Sequence, residues 1–188
     1  MAELAAADLS AYTGGRLASG DSATAAVLAA ALAAARRYCG WTVSPVAEVT
    51  VTVDGPGGPV LALPTRNLIE VEAVTENGVA IDVDNLDVSR VKGTVRKYPH
   101  GGWTARDGSI SVTMTHGFTE GEAPDWRRAV LRLADLMATD SSAAGLRDDT
   151  DLVRKRVDDV EYQWAEGLIA ADDRLASLLA QFRILQSP

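Results

Sequence analysis

The chain has 188 residues, a formal net charge of −8 and a sequence pI near 4.7, and 47% of its residues are hydrophobic. A chain of this length predicts one domain, or one domain with an arm, that buries enough apolar surface to fold without disulfides or a structural metal. The net acidity counts against tight nonspecific nucleic-acid binding. A single cysteine excludes an internal disulfide and a cysteine-rich metal site, and two histidines leave little for a histidine-based one.

The N-terminal region, residues 1–41, is predicted to form two helices. Leu4 to Tyr12 forms the first, which a Gly-Gly pair ends. A long second helix begins after Asp21, whose side chain is a suitable N-cap, and ends at Gly40. Alanine, the best helix former, dominates this second helix, so we expect a core of small side chains around it.

No segment of the sequence has the pattern of a membrane span or a signal peptide. The longest apolar run, Ala23 to Ala35, has 13 residues, fewer than the ~20 that cross a bilayer. Glu3 and Asp8 stand where a signal peptide carries basic residues. We therefore expect no membrane partner and synthesis in the cytoplasm.

Residues 42–118 are predicted to form an antiparallel β insertion of six or seven short strands, because the hydrophobic period falls from about 3.6 to about 2 residues there. The alternation from Val49 to Val53 precedes the glycine- and proline-rich stretch Gly55 to Pro59. The simplest interpretation is a hairpin that joins it to Val60–Leu63. Asn77-Gly78 favours a second hairpin with a type I′ turn.

Residues 119–140 are predicted to form a helix that packs on the N-terminal helix. Pro124 is a favoured residue in the first turn of a helix. Apolar side chains then recur at spacings of four, three and four residues, which places them on one face of the helix. These residues are Trp126, Val130, Leu133 and Met137.

The last region, residues 141–188, is predicted to contain a mobile polar loop from Ser141 to Asp151, an extended arm around Val160–Trp164 and a short helix capped by Asp172. Together the patterns predict an α+β fold. In it, a helical bundle made of the long N-terminal helix and the C-terminal helices carries an inserted antiparallel β subdomain.

The sequence shows little of the chemistry that an enzyme needs. Neither His100 nor His116 belongs to a recognisable pair with a nucleophile or a carboxylate. The acidic clusters at 148–151 and 158–161 lack the ordered spacing of a calcium loop, and Gly55 to Pro59 lacks the lysine and hydroxyl of a phosphate loop. We predict no enzymatic activity, catalytic residue, cofactor or metal.

Arg127, Arg128 and Arg132 form the strongest basic cluster. One interpretation is contact with a phosphate or an acidic partner. The other is an exposed helix face that Asp135 and neighbouring acids balance.

Several short motifs occur in a defined order between residues 4 and 185. They are Arg36 to Trp41, Leu61 to Pro64, Thr115 to Phe118 with Pro124 before a helix, Val157 to Trp164, and the Leu-Leu-x-x-aromatic-Arg segment Leu178 to Arg183. In this order and spacing the sequence resembles the head-to-tail connector (adaptor) proteins of tailed bacteriophages.

The resemblance implies a structural virion protein, made in the bacterial host cytoplasm and assembled as a ring of twelve copies in the neck at the capsid vertex. The ring would lie below the portal protein, join the capsid to the tail and receive a stopper or tail-completion protein on its other side. Genomic DNA would pass through the lumen without sequence-specific binding. The alternative is that the chain is itself another neck protein, a stopper or a tail-completion protein.

The contact with the portal or neck is expected in the C-terminal part, from Val157 to Leu185, because its apolar residues are too few to form a core. The candidate residues are Tyr162, Trp164, Leu178, Leu179, Phe182 and Arg183. The alternative is that the last helix packs on the long helix of the same chain. The cluster Arg127, Arg128 and Arg132 is expected to contact a neighbouring subunit or the portal, while acidic residues line the lumen.

Overall fold

A computed structural model describes residues 4–99, 101–144 and 167–184, with the backbone alone described for 140–144. The elements in chain order are α1 (Ala6–Tyr12), α2 (Ser22–Cys39), β1 (Ala47–Val53), β2 (Leu61–Ala62), β3 (Leu68–Glu76), β4 (Val79–Ile81), β5 (Leu86–Ser89), β6 (Thr94–Lys97), β7 (Ile110–His116), α3 (Pro124–Ala144) and α4 (Asp173–Ala180). Residues 167–171 are also helical. The predicted α+β class, with helices and an antiparallel β insertion, is confirmed.

The chain divides into two compact units. The helical unit comprises Met1–Gly40 and Ala123–Leu185, and the β unit is built on Trp41–Glu122. Within residues 4–99, 101–144 and 167–184, no helix combines the length and the apolarity that crossing a membrane requires.

The long helix α2 has the ends that the sequence predicts. The Asp21 carboxylate accepts a hydrogen bond of 2.9 Å from the Ala23 N–H, and Gly40 ends the helix in the left-handed conformation at φ 81°. The buried residues of α2 follow a helical period and are mostly small: Thr24, Leu28, Ala31, Ala34, Ala35 and Cys39. Short side chains on this face let α2 pack closely on α3, with which it is in contact.

Helix α3 is the central element of the helical unit, because it contacts α1, α2 and α4. Its predicted apolar face is confirmed, since Trp126, Val130, Leu133 and Met137 are all buried. The helix continues to Ala144, so the loop predicted from Ser141 begins at least four residues too early. Two serines followed by two alanines at 141–144 are compatible with a helix, and alanine favours it.

The β unit contains two antiparallel sheets, with strand orders β1-β7-β3-β4 and β2-β6-β5. The Asn77-Gly78 turn joins β3 to β4 with φ values of 52° and 81°, as a type I′ turn requires. The inner faces of both sheets contribute to one apolar core. Its buried residues are Leu61, Leu63, Leu68, Val71, Val74, Val95, Trp103, Ile110, Val112 and Met114.

The predicted hairpin between Val49–Val53 and Val60–Leu63 is wrong. β1 pairs with β7, from Ala47 opposite His116 to Val53 opposite Ile110, and β2 pairs with β6 in the other sheet. The intervening stretch does not fold back on β1. Its Gly55 and Gly57 N–H groups donate to the carbonyls of residues 106 and 104, at 3.0 and 2.9 Å, which carries the chain from one sheet to the other.

Two glycines with the same backbone conformation allow steric crowding to be tested separately from φ. Gly93 and Gly108 have φ values of +60° and +59°, but a Cβ at Gly93 would lie 2.5 Å from the Thr65 carbonyl oxygen, whereas nothing lies within 4 Å of one at Gly108. Gly108→Ala is expected to cost about 1 kcal/mol because of its left-handed backbone.

Gly93→Ala is expected to cost at least about 1 kcal/mol more, because the backbone at Thr65 must move. Urea denaturation of the two variants measures the difference. Equal losses of unfolding free energy would show that the close packing at Gly93 does not contribute.

Candidate interaction site

Two of the apolar residues proposed for a partner contact, Leu179 in α4 and Phe182 just after it, lie in the core of the helical unit. Leu179 is fully buried, Phe182 is 9% exposed and Leu178 is half-buried. The Phe182 ring meets the edge of the Trp126 ring at a centroid distance of 6.1 Å, and the Cys39 thiol donates to the Leu179 carbonyl oxygen at 3.8 Å. For Leu179 and Phe182, the alternative interpretation, packing on the chain's own helices, describes the structure.

The other residues of that candidate set have different positions. Arg183 is exposed, and its guanidinium lies 5.0 Å from the centroid of the Tyr38 ring. Tyr162 and Trp164 lie outside the described residues, as do His100 and the predicted loop from residue 145 onward. The assignments made to these residues stay predictions.

Two of the three α3 arginines make ion pairs within the helical unit. Arg127 Nη2 lies 3.6 Å from Asp8 Oδ1 in α1, and Arg132 binds Asp172 through Nε at 2.8 Å and Nη2 at 2.6 Å. Arg128 is exposed. The predicted basic cluster is therefore divided, since Arg127 and Arg132 connect α3 to other parts of the unit and Arg128 faces solvent.

Asp135, the acid expected to balance this cluster, pairs with Arg16 in the segment after α1. The ion pairs of α3 involve both signs of charge: its arginines pair with Asp8 and Asp172, and its aspartate pairs with Arg16. Exposed pairs of this kind contribute little singly, and here they connect α3 to α1, to the segment after α1 and to the start of α4.

Asp172 has two roles at the start of α4. Its Oδ1 accepts the Leu175 N–H at 3.0 Å as the N-cap, while Oδ2 accepts from Arg132. The hydrogen bond from Arg132, followed by the Leu175 N–H, lowers the pKa of Asp172 below its ordinary value, and the same pair raises the pKa of Arg132. The ionised carboxylate therefore fixes α4 to α3.

Removing the charge of Asp172 is expected to destabilise the protein. Asp172→Asn keeps a capping side chain but loses the charged partner of Arg132, so we expect a loss of up to about 1 kcal/mol at neutral pH. Because folding lowers the pKa of Asp172, its contribution is complete above the ordinary aspartate pKa and is lost as the pH falls through the lower, folded-state value.

Chemical denaturation from pH 7 down to acidic pH measures this dependence. The matched control is Asp21→Asn, which alters the cap of α2 without touching the pair at α4 and should cost less. Identical losses for the two variants would contradict a stabilising Arg132–Asp172 pair.

His116 and Cys39, the histidine and the cysteine in the described part of the chain, are both buried. His116 is 3% exposed, its ring lies 5.8 Å from the Trp41 ring centroid, and burial lowers its pKa, so the imidazole is neutral at pH 7. Burial also raises the pKa of Cys39 to about 12. In the described part of the chain, His116 Nδ1 has no hydrogen-bond partner, and no group of three or more metal-ligating side chains occurs.

The buried His116 predicts a loss of stability between neutral and mildly acidic pH. The unfolded chain takes up a proton below pH 6.5, the ordinary histidine value, more readily than the folded chain does, so stability falls as the pH decreases from there. Denaturation at pH 7.5 and pH ~5.5 measures this loss. His116→Gln should be less stable at the higher pH and should lack the loss, whereas His100→Gln should retain it; an unchanged dependence in His116→Gln would contradict the assignment.

Comparisons with known proteins identify the fold. No protein-family model matches the sequence, and a search of curated proteins gives no significant match. A chain in the neck of the empty gene transfer agent (GTA) particle, computed with C6 symmetry, matches with a TM-score of 0.56 and 18% identity, covering 99% of this chain and 92% of that chain. The chain has the fold of a GTA neck component.

Two further structures give the same result. A chain in the neck of the native GTA particle, computed with C12 symmetry, matches with a TM-score of 0.54 and 16% identity over 89% of this chain and 85% of that chain. A chain in the native GTA virion matches with a TM-score of 0.56 and 17% identity over 99% and 92%. At the level of fold, these matches confirm the resemblance to head-to-tail connector proteins.

Proposed function

We propose that this protein is a structural component of the neck of a phage-like particle and acts as the head-to-tail adaptor. It forms a ring below the portal protein, joins the capsid to the tail and lets DNA pass. The observation that carries this proposal is the match in fold to chains of GTA necks over 99% of this chain and 92% of theirs. The order of sequence motifs favours the adaptor over a stopper or tail-completion protein.

A homo-oligomeric ring, with twelve copies, is the assembly that we propose. The neck structures with the same fold were computed with C12 and C6 symmetry, and both are compatible with a closed ring of identical subunits. Each copy brings a formal charge of −8. Acidic residues facing the lumen repel phosphate, so the duplex can slide through the ring without binding to it.

The proposed portal contact is in the C-terminal part of the chain, but it comprises fewer residues than the sequence predicted. Leu179 and Phe182 are already buried in the helical unit. We therefore assign the contact to Tyr162 and Trp164, together with the exposed Arg183 that follows α4. Aromatic and arginine side chains dominate binding energies when a partner buries them. Arg128, exposed on α3, is the remaining candidate of the basic cluster for contact with a subunit or the portal.

Direct binding to purified portal protein tests both the function and this contact. The full-length protein should co-sediment with the portal in the absence of any other neck protein. Tyr162→Ala combined with Trp164→Ala should weaken binding by about tenfold or more, because truncating an aromatic hot spot of an interface costs about 2 kcal/mol or more. Tyr98→Ala, which truncates an aromatic residue that is 63% exposed in the β unit, is the matched control and should bind normally.

The possible failures have different meanings. If the wild-type protein does not bind the portal but binds a complex of portal and adaptor, it is a stopper or tail-completion protein and the adaptor proposal is wrong. If the wild-type protein and the Tyr162/Trp164 variant bind equally well, the adaptor proposal stands and the contact lies elsewhere.

A further inference from the structure

The tip of the β5–β6 hairpin combines positive charge with an exposed apolar residue. Arg90, Val91 and Lys92 form this basic tip, and Val91 is 90% exposed. The hairpin from Leu86 to Lys97 contains four basic residues and one acidic residue, in a chain whose net charge is −8. The two exposed cations of this tip can contact a partner surface of opposite charge.

The four-stranded sheet has the opposite character on its outer face. β1, β7, β3 and β4 contain no lysine or arginine. The acidic face consists of the exposed residues Glu48, Glu70 and Glu72. Glu48 and Glu70 lie opposite Thr115 on its two sides, and the Thr115 hydroxyl donates to Glu72, so the three carboxylates surround one point of the sheet.

The basic tip and the acidic face belong to different sheets of the β unit. The two sheets share one apolar core, to which β3 and β7 contribute from one side and β2 and β6 from the other. The acidic face is the surface of the four-stranded sheet that points away from this core. The basic tip belongs to the β5–β6 hairpin of the other sheet. Tip and face are therefore two separate surfaces of opposite charge on each copy.

We propose that the basic tip of one copy binds the acidic face of the next copy in the ring. This inference rests on the ring of the proposed function. A ring needs two different complementary patches on each subunit, and copies that repel each other on average need local charge complementarity to associate. Val91 would pack on the methyl groups of Thr50 and Thr113, whose hydroxyls are hydrogen-bonded to each other at 2.9 Å.

Charge reversal of the basic tip or of the acidic face tests the contact. Self-association of the full-length protein is measured in the protein alone and in the presence of purified portal protein. The tip variant carries Arg90→Glu and Lys92→Glu, and the face variant carries Glu48→Lys and Glu70→Lys. Each variant alone should self-associate about tenfold more weakly or worse, since like charges then meet. An equimolar mixture of the two should recover wild-type association, because every contact in an alternating assembly again pairs opposite charges.

The variant that carries all four substitutions should also self-associate like the wild type. The control Arg106→Glu with Arg174→Glu changes the net charge as much as the tip variant does, at residues exposed elsewhere, and should leave association unchanged. Sedimentation velocity and mass photometry measure association, and raising the salt concentration should weaken it in the wild type.

The contact is refuted if the single-patch variants associate like the wild type, if the mixture does not recover, or if the wild type does not self-associate either alone or on the portal. Loss of DNA binding in the tip variant with unchanged association would assign the tip to DNA and equally refute the contact. These outcomes are distinct from those that test the adaptor role. If the single-patch variants bind the portal and form rings as the wild type does, only this contact is rejected. If the mixture recovers association but the wild type does not bind the portal, only the neck assignment is rejected.

Discussion

Burial of one apolar stripe of α3 is the constraint on which the helical unit depends. Trp126 and the residues that follow it on the same face are withdrawn from water by α1, α2 and α4. Burying a large apolar side chain contributes about 2 to 3 kcal/mol to the free energy of unfolding. An exposed ion pair such as Arg127–Asp8 contributes less than this. Leu175 and Leu179 of α4, and Phe182 just after it, complete the same core. While these side chains are buried they are not available to a partner, so a contact surface must be sought among residues that the core does not use.

Charged residues are the candidates for those surfaces. Within the helical unit, the pairs Arg127–Asp8 and Arg132–Asp172 are intramolecular and align α3 with its neighbours. In the β unit, Lys97 pairs with Glu76 at 2.6 Å and lies 4.6 Å from the Trp103 ring centroid. Burial opposes ionisation of Glu76, but hydrogen bonds from Lys97 and the Thr104 N–H outweigh it and lower its pKa. The exposed charges of Arg90, Lys92, Glu48 and Glu70 take no part in this internal pairing.

Local signals in the sequence predicted local structure well. Asp21 and Gly40 bound α2, Asp172 caps α4 and Asn77-Gly78 forms the tight turn, because each depends on atoms within a few residues. Strand partners depend on the whole fold. The segment Val49 to Val53 pairs with β7, more than fifty residues away in the sequence. Hydrophobic alternation within one strand does not indicate which strand lies beside it.

The candidate site was harder to predict for a similar reason. The period of Leu175, Leu179 and Phe182 marks an apolar face, and such a face fits an internal core and an external partner equally well. In the same way, three arginines within six residues suggest a basic patch, but acids distant in sequence, such as Asp8, decide how many of them reach solvent. The acidic face arises only when β1, β7 and β3 lie side by side, which brings Glu48 and Glu70 to either side of Thr115.

The most direct test of a neck role is a cryo-EM map of the neck of particles assembled with this protein. We predict a closed ring of copies with the α+β fold described above, directly below the portal, with acidic residues toward the DNA. A map in which the portal contacts a different protein and this chain is absent from the neck would contradict that role.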